Sequence, residues 1–299
     1  MATLSVVINT INEEDNLPHA IKSVAKIADQ IVVVDMKSTD GTRTVAKKIG
    51  AEVYEHKRLS YVEPARNFGI SKTRCDWVLV LDPDERVSPD LRKKIREIID
   101  KPEADYYRIP RKNIIFGKSM RYSRWWPDLN IRLFKKGHVE WSEIIHSVPT
   151  TTGKGLDLEA TEKNALVHYH YVSIEQYITR LNRYTTVQAA NLKKKGYVFT
   201  WKDLIRKPAN EFLSRFFEGQ GYKDGVHGFA LSLLQSFSEL VLYLKMWQYE
   251  KFKESKYEIG DAISQMKKSH KDYNYWFADT LLREKGGFIQ KIKRKLKLP

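Results

Sequence analysis

The chain has 299 residues, 42% hydrophobic and 12% aromatic, enough to bury a full α/β core and leave about a third of its length over. A formal net charge of +15 and a pI near 9.6 call for an anionic partner, and because none of the common nucleic-acid motifs occurs, an anionic membrane surface is expected and nucleic acid is not. Cys75 is the single cysteine, which excludes internal disulfides; the first apolar run is short and lacks a basic leader, so a cytoplasmic location is expected.

From the start of the chain, strand and helix signals alternate: a strand over 4–8, a helix over 16–27, a strand over 31–34, a helix over 39–49, a short strand over 52–54, a helix over 63–71, a strand over 77–81, then a helix from near Ser88. This predicts a mostly parallel sheet with helices on both faces and the strand carboxyl ends gathered at one edge. Polar residues follow three of those ends: Thr10, Asn12 and Glu13; Asp35 with Lys37-Ser38-Thr39-Asp40-Gly41-Thr42; and Asp82-Pro83-Asp84-Glu85. Asp82 and Asp84 are hard oxygen ligands on a strand-to-loop corner, suited to Mg²⁺ or Mn²⁺ with positions left for substrate phosphates. The same D-P-D also reads as a solvated turn capping the helix behind it. No G-x-G-x-x-G follows the first strand and no G-x-x-x-x-G-K-[ST] occurs, so phosphate neutralisation falls to a metal.

The ordered set Val6-Val7-Ile8 with Asn12-Glu13, Val32-Val33-Val34-Asp35 with Ser38-Thr39-Asp40-Gly41-Thr42, Ala65-Arg66-Asn67-Phe68-Gly69, and Leu79-Val80-Leu81-Asp82-Pro83-Asp84-Glu85 resembles the nucleotide-sugar domain of family two glycosyltransferases, which have the GT-A fold. The branch it is most similar to adds sugars to lipopolysaccharide core or similar lipid-linked glycans. The resemblance implies a metal-dependent inverting transferase using a nucleoside-diphosphate sugar, a UDP-sugar first, with a GT-A domain over 1–171 (nucleotide-sugar half to about 100, acceptor half over 101–171). It implies that Glu13 and Asp35 contact the ribose or base alongside Thr10 and Asn12, that Arg66 lies near the diphosphate or base, and that Asp82 and Asp84 bridge the metal to the diphosphate. Lys37 departs from the family pattern and reads best as projecting into water.

An inverting displacement on a hydroxyl needs a carboxylate base. Asp128 is the first candidate and Glu143 the second; the His that the branch commonly follows with Glu is followed here by Ser147. His146 is the candidate third metal ligand, against the reading of an ordinary strand-end histidine. Trp125 and Trp126 can stack on a sugar, and Arg124 and Arg132 can hold an acceptor phosphate. His168 and His170 share one strand face but lack a cysteine or acidic partner at zinc spacing.

From about Val172 the strand signals fade, and a basic helical region is expected over 172–299, with patterns over 174–195, 200–218, 228–252, 259–273 and a tail from 287. Within the most apolar stretch, 229–247, Ser232, Gln235, Ser236 and Glu239 make one polar stripe, which argues against a bilayer span and leaves helix packing, homo-oligomer formation or shallow insertion. The tail carries Lys291, Lys293, Arg294, Lys295 and Lys297 among Phe288, Ile289, Ile292, Leu296 and Leu298, a basic amphipathic pattern for the cytoplasmic membrane face. The rival readings are transfer to a polyprenyl phosphate, and a non-enzymatic basic surface-binding protein on a degenerate transferase domain.

Overall fold

The computed structural model describes residues 1–58, 63–141 and 149–299. In chain order the elements are β1 (Leu4–Thr10), α1 (Leu17–Val24), β2 (Gln30–Asp35), α2 (Thr42–Lys48), β3 (Glu52–Glu55), α3 (Glu63–Ser71), β4 (Trp77–Leu81), β5 (Glu85–Val87), α4 (Pro89–Asp100), β6 (Tyr106–Ile115), β7 (Lys118–Ser119), β8 (Asp128–Lys135), β9 (Val139–Glu140), β10 (Thr150–Thr151), β11 (Gly155–Asp157) and β12 (Leu166–Tyr171). Helices follow: α5 (Ile174–Lys194), α6 (Asp203–Leu213), α7 (Val226–Tyr249), α8 (Ile259–Lys285) and α9 (Phe288–Leu296). They form two compact units, Met1–Ile114 with Trp126–His170, and Ile115–Trp125 with Tyr171–Pro299. The segment Ile115–Trp125, which the sequence assigns to an acceptor half, thus folds with the helices, where Ile115 and Met120 are buried with Tyr177, Leu181 and Leu231.

In the sheet unit the strands run in the order β3-β2-β1-β4-β8-β6-β12-β5. The first four are parallel; β8 pairs antiparallel with both β4 and β6, and β12 pairs antiparallel with β5. The expected α/β architecture with a parallel half, followed by helices, is present. Every residue of β1 and β4 is buried, which is why these strands read as unbroken apolar runs. Alternation sorts them onto two faces: Val6, Ile8, Leu79 and Leu81 pack with Leu17, Ile21, Leu91 and Ile95, and Val7, Val78 and Val80 with Val32, Val34, Phe134 and Trp141. Each such side chain contributes about 1.5–3 kcal/mol on burial. Gly69 lets α3 lie close on the second face, since a Cβ there would sit 2.5 Å from Val7 Cγ1.

Two registers place the site. Thr10 lies opposite Asp35, and Ile8 opposite Leu81, so the loops after β1, β2 and β4 leave one edge together. The D-P-D corner is followed by the short strand β5, and α4 is capped by the Ser88 hydroxyl, which accepts from Leu91 N at 3.1 Å; neither aspartate caps it.

In the helical unit, the polar stripe of α7 is used for packing. Gln235 donates to Tyr177 Oη and Ser236 to Pro208 O, both at 2.8 Å, while burial raises the pKa of Glu239. Phe229, Leu233, Phe237 and Leu244 stand exposed instead. By length and composition, α7 is the one helix among the described residues able to cross a membrane.

Candidate active site

The loops after β1 and β2 are knitted together. Asn12 N donates to Ser38 Oγ (2.9 Å), Thr39 N to Asn12 Oδ1 (2.8 Å), Glu13 N to Thr42 Oγ1 (2.8 Å) and Gly41 N to Glu14 Oε2 (2.6 Å). The S-T-D-G-T sequence is therefore first a loop lock: Asp40 accepts from both N and Oγ1 of Thr42, and Asp35 Oδ2 accepts from Ser38 N. Buried beside it, both side-chain polar atoms of Asn9, the Thr10 hydroxyl and Asp35 Oδ1 lack a hydrogen-bond partner. Buried polar groups are ordinarily satisfied, so orphans at this strand edge mark where a ligand would supply partners. Glu13 accepts from Asn16 Nδ2 and so also steadies the entry to α1. Lys37 is exposed.

The A-R-N-F-G stretch has an equally local logic. Ala65 is buried, Asn67 exchanges two hydrogen bonds with the Trp141 backbone (2.7 and 2.9 Å), and Arg66 reaches Asp82 Oδ1 at 2.9 Å with its guanidinium 5.4 Å from the centre of the Trp141 ring.

Asp82 is clamped on its other oxygen by Arg132 Nη2 at 2.5 Å, and Arg132 also meets Glu85 Oε1 at 2.6 Å. Burial opposes ionisation of Asp82, but Arg132 and Arg66 outweigh it and hold its carboxyl far below the usual range. Glu85 goes the other way: burial, together with the charge on Asp82, raises its pKa against the pull of Arg132. Arg132 is 2% exposed and sits between two carboxylates, so it does not face an acceptor phosphate as the sequence suggests.

Asp128 begins β8. Its Oδ2 accepts from Arg111 Nε (2.9 Å) and Asn113 Nδ2 (3.2 Å), and its Oδ1 from Asn130 Nδ2 (2.9 Å). Burial opposes ionisation here too, but Arg111 and the two amides bring the pKa below the ordinary value. From Asn113 the network continues: its Oδ1 lies 2.6 Å from His168 Nδ1, so that nitrogen carries the proton, and His168 Nε2 lies 3.6 Å from Asp84 Oδ1 and 3.2 Å from His170 Nδ1. Asp84 is thus the acidic partner of His168, supplied from a distant part of the chain.

Glu85, Arg111 and Asn113 are the participants that sequence reasoning missed, and His168 is one that it weighed only as half of a zinc pair. A signal exists: Asp128, Asn130 and Arg132 on β8, Arg111 and Asn113 on β6, and His168 and His170 on β12 are polar at every second position, and these strands are neighbours in the sheet. Together they line one face.

Arg124 and Trp125 belong to the helical unit, where Arg124 donates to Ser214 Oγ (2.7 Å) and the Arg215 guanidinium lies 5.7 Å from the centre of the Trp125 ring; Trp126 belongs to the sheet unit. Glu143 and His146 lie outside the described residues. Among the described residues no group of three or more acidic, His or Cys side chains is placed to hold a metal. Mg²⁺ in nucleotide sites needs less, one or two carboxylates with substrate phosphates and waters, and Asp84 beside His168 meets that requirement. Arg66, Arg111 and Arg132 are each already matched by a carboxylate, whereas Arg86 beside Asp84 gives its hydrogen bonds to Pro83 O, Glu85 O and Asn16 Oδ1 and is the arginine left to share a diphosphate's charge with a bound cation.

Comparison with known proteins follows the same line. The family model described as glycosyl transferase family 2 matches residues 5–163. An uncharacterized glycosyltransferase of Rickettsia typhi is 33% identical over 258 residues, covering 82% of this chain and 87% of its own length. The lipopolysaccharide core biosynthesis glycosyltransferase LpsC of Rhizobium meliloti is 25% identical over 270 residues, 87% of this chain and 97% of its own. Among solved structures, residues 1–349 of S. aureus TarS in complex with UDP align over 86% of this chain and 94% of that one at 15% identity, with a TM-score of 0.45. A Mycobacterium tuberculosis glucosyl-3-phosphoglycerate synthase in complex with Mn²⁺ and UDP-glucose aligns over 39% of this chain and 44% of that one at 23% identity, with a TM-score of 0.31.

Proposed function

The chain belongs to glycosyl transferase family 2, and from that premise we propose that it moves a sugar, with inversion, from a nucleoside-diphosphate sugar to a lipid-linked saccharide of the cell envelope. The observation that carries this reading is the crevice at the carboxyl edge of β1, β2 and β4, where Asp84 stands beside His168 while Arg66, Arg111 and Arg132 are each matched by a carboxylate. Asp84 and His168 would hold Mg²⁺ or Mn²⁺, which when bound supplies positive charge to the leaving diphosphate. Asp35, Asn9 and Thr10 offer the nucleoside its polar contacts. Arg66, braced on Trp141, fixes Asp82 and closes the nucleotide side. Asp128 accepts the acceptor's proton; Arg111 keeps it ionised at neutral pH, ready to accept though weak as a base.

A lipid-linked acceptor at the cytoplasmic membrane face is supported by the likeness to LpsC and by the helical unit, where Phe288, Ile289, Ile292 and Leu296 of α9 are all exposed among lysines. Of Arg121, Arg124 and Arg132, the arginines that could hold the phosphate of a polyprenyl acceptor, Arg132 is turned inward.

The test is donor hydrolysis and transfer with a panel of nucleotide sugars, with Mn²⁺, Mg²⁺ or excess chelator. Asp84→Asn should lower turnover by about a hundredfold or more with the fold intact. Full activity of that variant, or of wild type in chelator, refutes the metal-assisted mechanism.

A further inference from the structure

The helical unit contains a cavity of about 500 Å³ between the start of α6, the end of α7 and the start of α8. Phe199, Trp201, Leu204, Trp247, Tyr257 and Met266 supply its walls. The cavity opens to solvent and has the size of a ligand site, which runs to several hundred Å³ with aromatic and aliphatic linings. The walls are braced. Phe199 and Trp247 stack with ring centroids 6.2 Å apart, Trp201 meets Tyr257 edge-on at 5.2 Å, and Trp247 Nε1 donates to Lys253 O at 3.0 Å. Phe199 N donates to Glu250 Oε1 at 2.9 Å, which ties the segment before α6 to the segment after α7.

The lining selects the ligand. Against these walls a polar molecule would leave its hydrogen-bonding groups unmet, so the occupant is apolar. Tyr257 and Met266 line the cavity and are still 58% and 57% exposed, so apolar surface continues from the walls to solvent, as a chain entering end-on requires. Charge selects the other end. Lys253 lines the cavity and the Lys202 ammonium lies 5.7 Å from the centre of the Trp201 ring, two cations against Glu254, the one acid among the described lining residues. We propose that this cavity binds the hydrocarbon chain of an anionic single-chain amphiphile, with the anionic head at Lys253 and Lys202. The site lies wholly in the helical unit and is independent of the sugar-transfer reading. Such a chain comes either from a polyprenyl carrier or from an acyl lipid of the membrane.

Trp201 and Trp247 make the cavity its own reporter. The full-length protein is titrated, without vesicles, with a dibrominated fatty acid below its micelle concentration, and tryptophan emission is read. Saturable quenching is expected in wild type, to be lost when Trp201→Phe and Trp247→Phe are combined. Met266→Glu, at an exposed position that leaves the fold intact by circular dichroism, should weaken the apparent affinity by about tenfold or more, because it puts a charge against both chain and head. Lys253→Glu should weaken binding of the fatty acid and spare that of a neutral monoacylglycerol competitor. Quenching that never saturates, or that is unchanged in both Met266→Glu and Lys253→Glu, overturns the proposal. Displacement of the probe by a short polyprenyl phosphate but not by a lysophospholipid identifies the carrier as the source, and the reverse identifies a membrane lipid; displacement by neither overturns the site. Asp84→Asn should quench as wild type does, so failure of the chain site and failure of the transfer reading are seen separately.

Discussion

Replacing Arg132 by Leu tests the buried charge network directly. The guanidinium lies 2.5 Å from Asp82 and 2.6 Å from Glu85, and neither Arg132 nor Glu85 is open to water. Removing one partner of a buried ion pair costs about 3–5 kcal/mol, because the other charge stays desolvated. Here the loss should fall near the lower end, roughly 3 kcal/mol, because Asp82 keeps Arg66 and Glu85, whose pKa is already raised by burial, can take up a proton. A loss of that size lowers the unfolding midpoint by roughly 6–12 °C in a unit the size of the sheet unit. The sign with pH follows: in the variant the folded-state pKa of Glu85 rises further, so stability is regained as pH falls through that raised value, and the deficit against wild type should shrink as pH is lowered from neutral towards the ordinary carboxyl range. Arg132→Leu with Glu85→Leu should recover much of the loss, since an apolar pair can replace a buried ionic one. Scanning calorimetry of the three proteins decides it. A loss under about 1 kcal/mol, or a deficit that does not change with pH, refutes the reasoning.

If Asp128 is the acceptor's base, its lowered pKa means the ionised form persists to lower pH than usual, so the acid limb of kcat should lie below about pH 4, and transfer should be flat on that side from about 5 to 7. An acid limb near 6.5 would transfer the role to a histidine. Removing residues after Gly286 deletes α9, whose Lys291, Lys293 and Lys295 each contribute on the order of 1 kcal/mol near an anionic surface, Arg294 and Lys297 being paired with Asp279 and Asp272. Co-sedimentation with anionic vesicles should weaken and become less salt-sensitive while donor hydrolysis is unchanged; equal binding by both forms removes the tail from the mechanism.

The parallel half of the sheet was legible because strands buried on both faces must be apolar throughout, as β1 and β4 are, and their ends must then carry the polar residues. The far half was not. Asp84 and His168, or Glu85 and Arg132, meet only because β12, β6 and β8 lie in a particular order, and sequence spacing does not encode that order. Arg132 illustrates the cost: on a strand read alone it is a cation available to an acceptor, and only the carboxylates on either side show it to be internal. On α7 the polar stripe was plain in the sequence, but its direction depends on Tyr177 and Pro208, which lie on other helices. Segment Ile115–Trp125 folds with the helices for a similar reason, through Met120 and its neighbours in another part of the chain.

The knit between the loops after β1 and β2 also bears on how a donor would be met. Asn12 and Lys37 both hold left-handed backbone, at φ 54° and 59°, and the hydrogen bonds to Ser38, Thr39, Gly41 and Thr42 cross from one loop to the other. Neither loop can rearrange without breaking bonds that belong to both, so this side of the crevice opens as one cooperative unit or stays shut. A nucleotide arriving there meets a surface already ordered during folding. The loss of freedom on binding then falls on the ligand alone, and its affinity should be set by fit to a rigid jaw rather than by how readily a loop can be recruited.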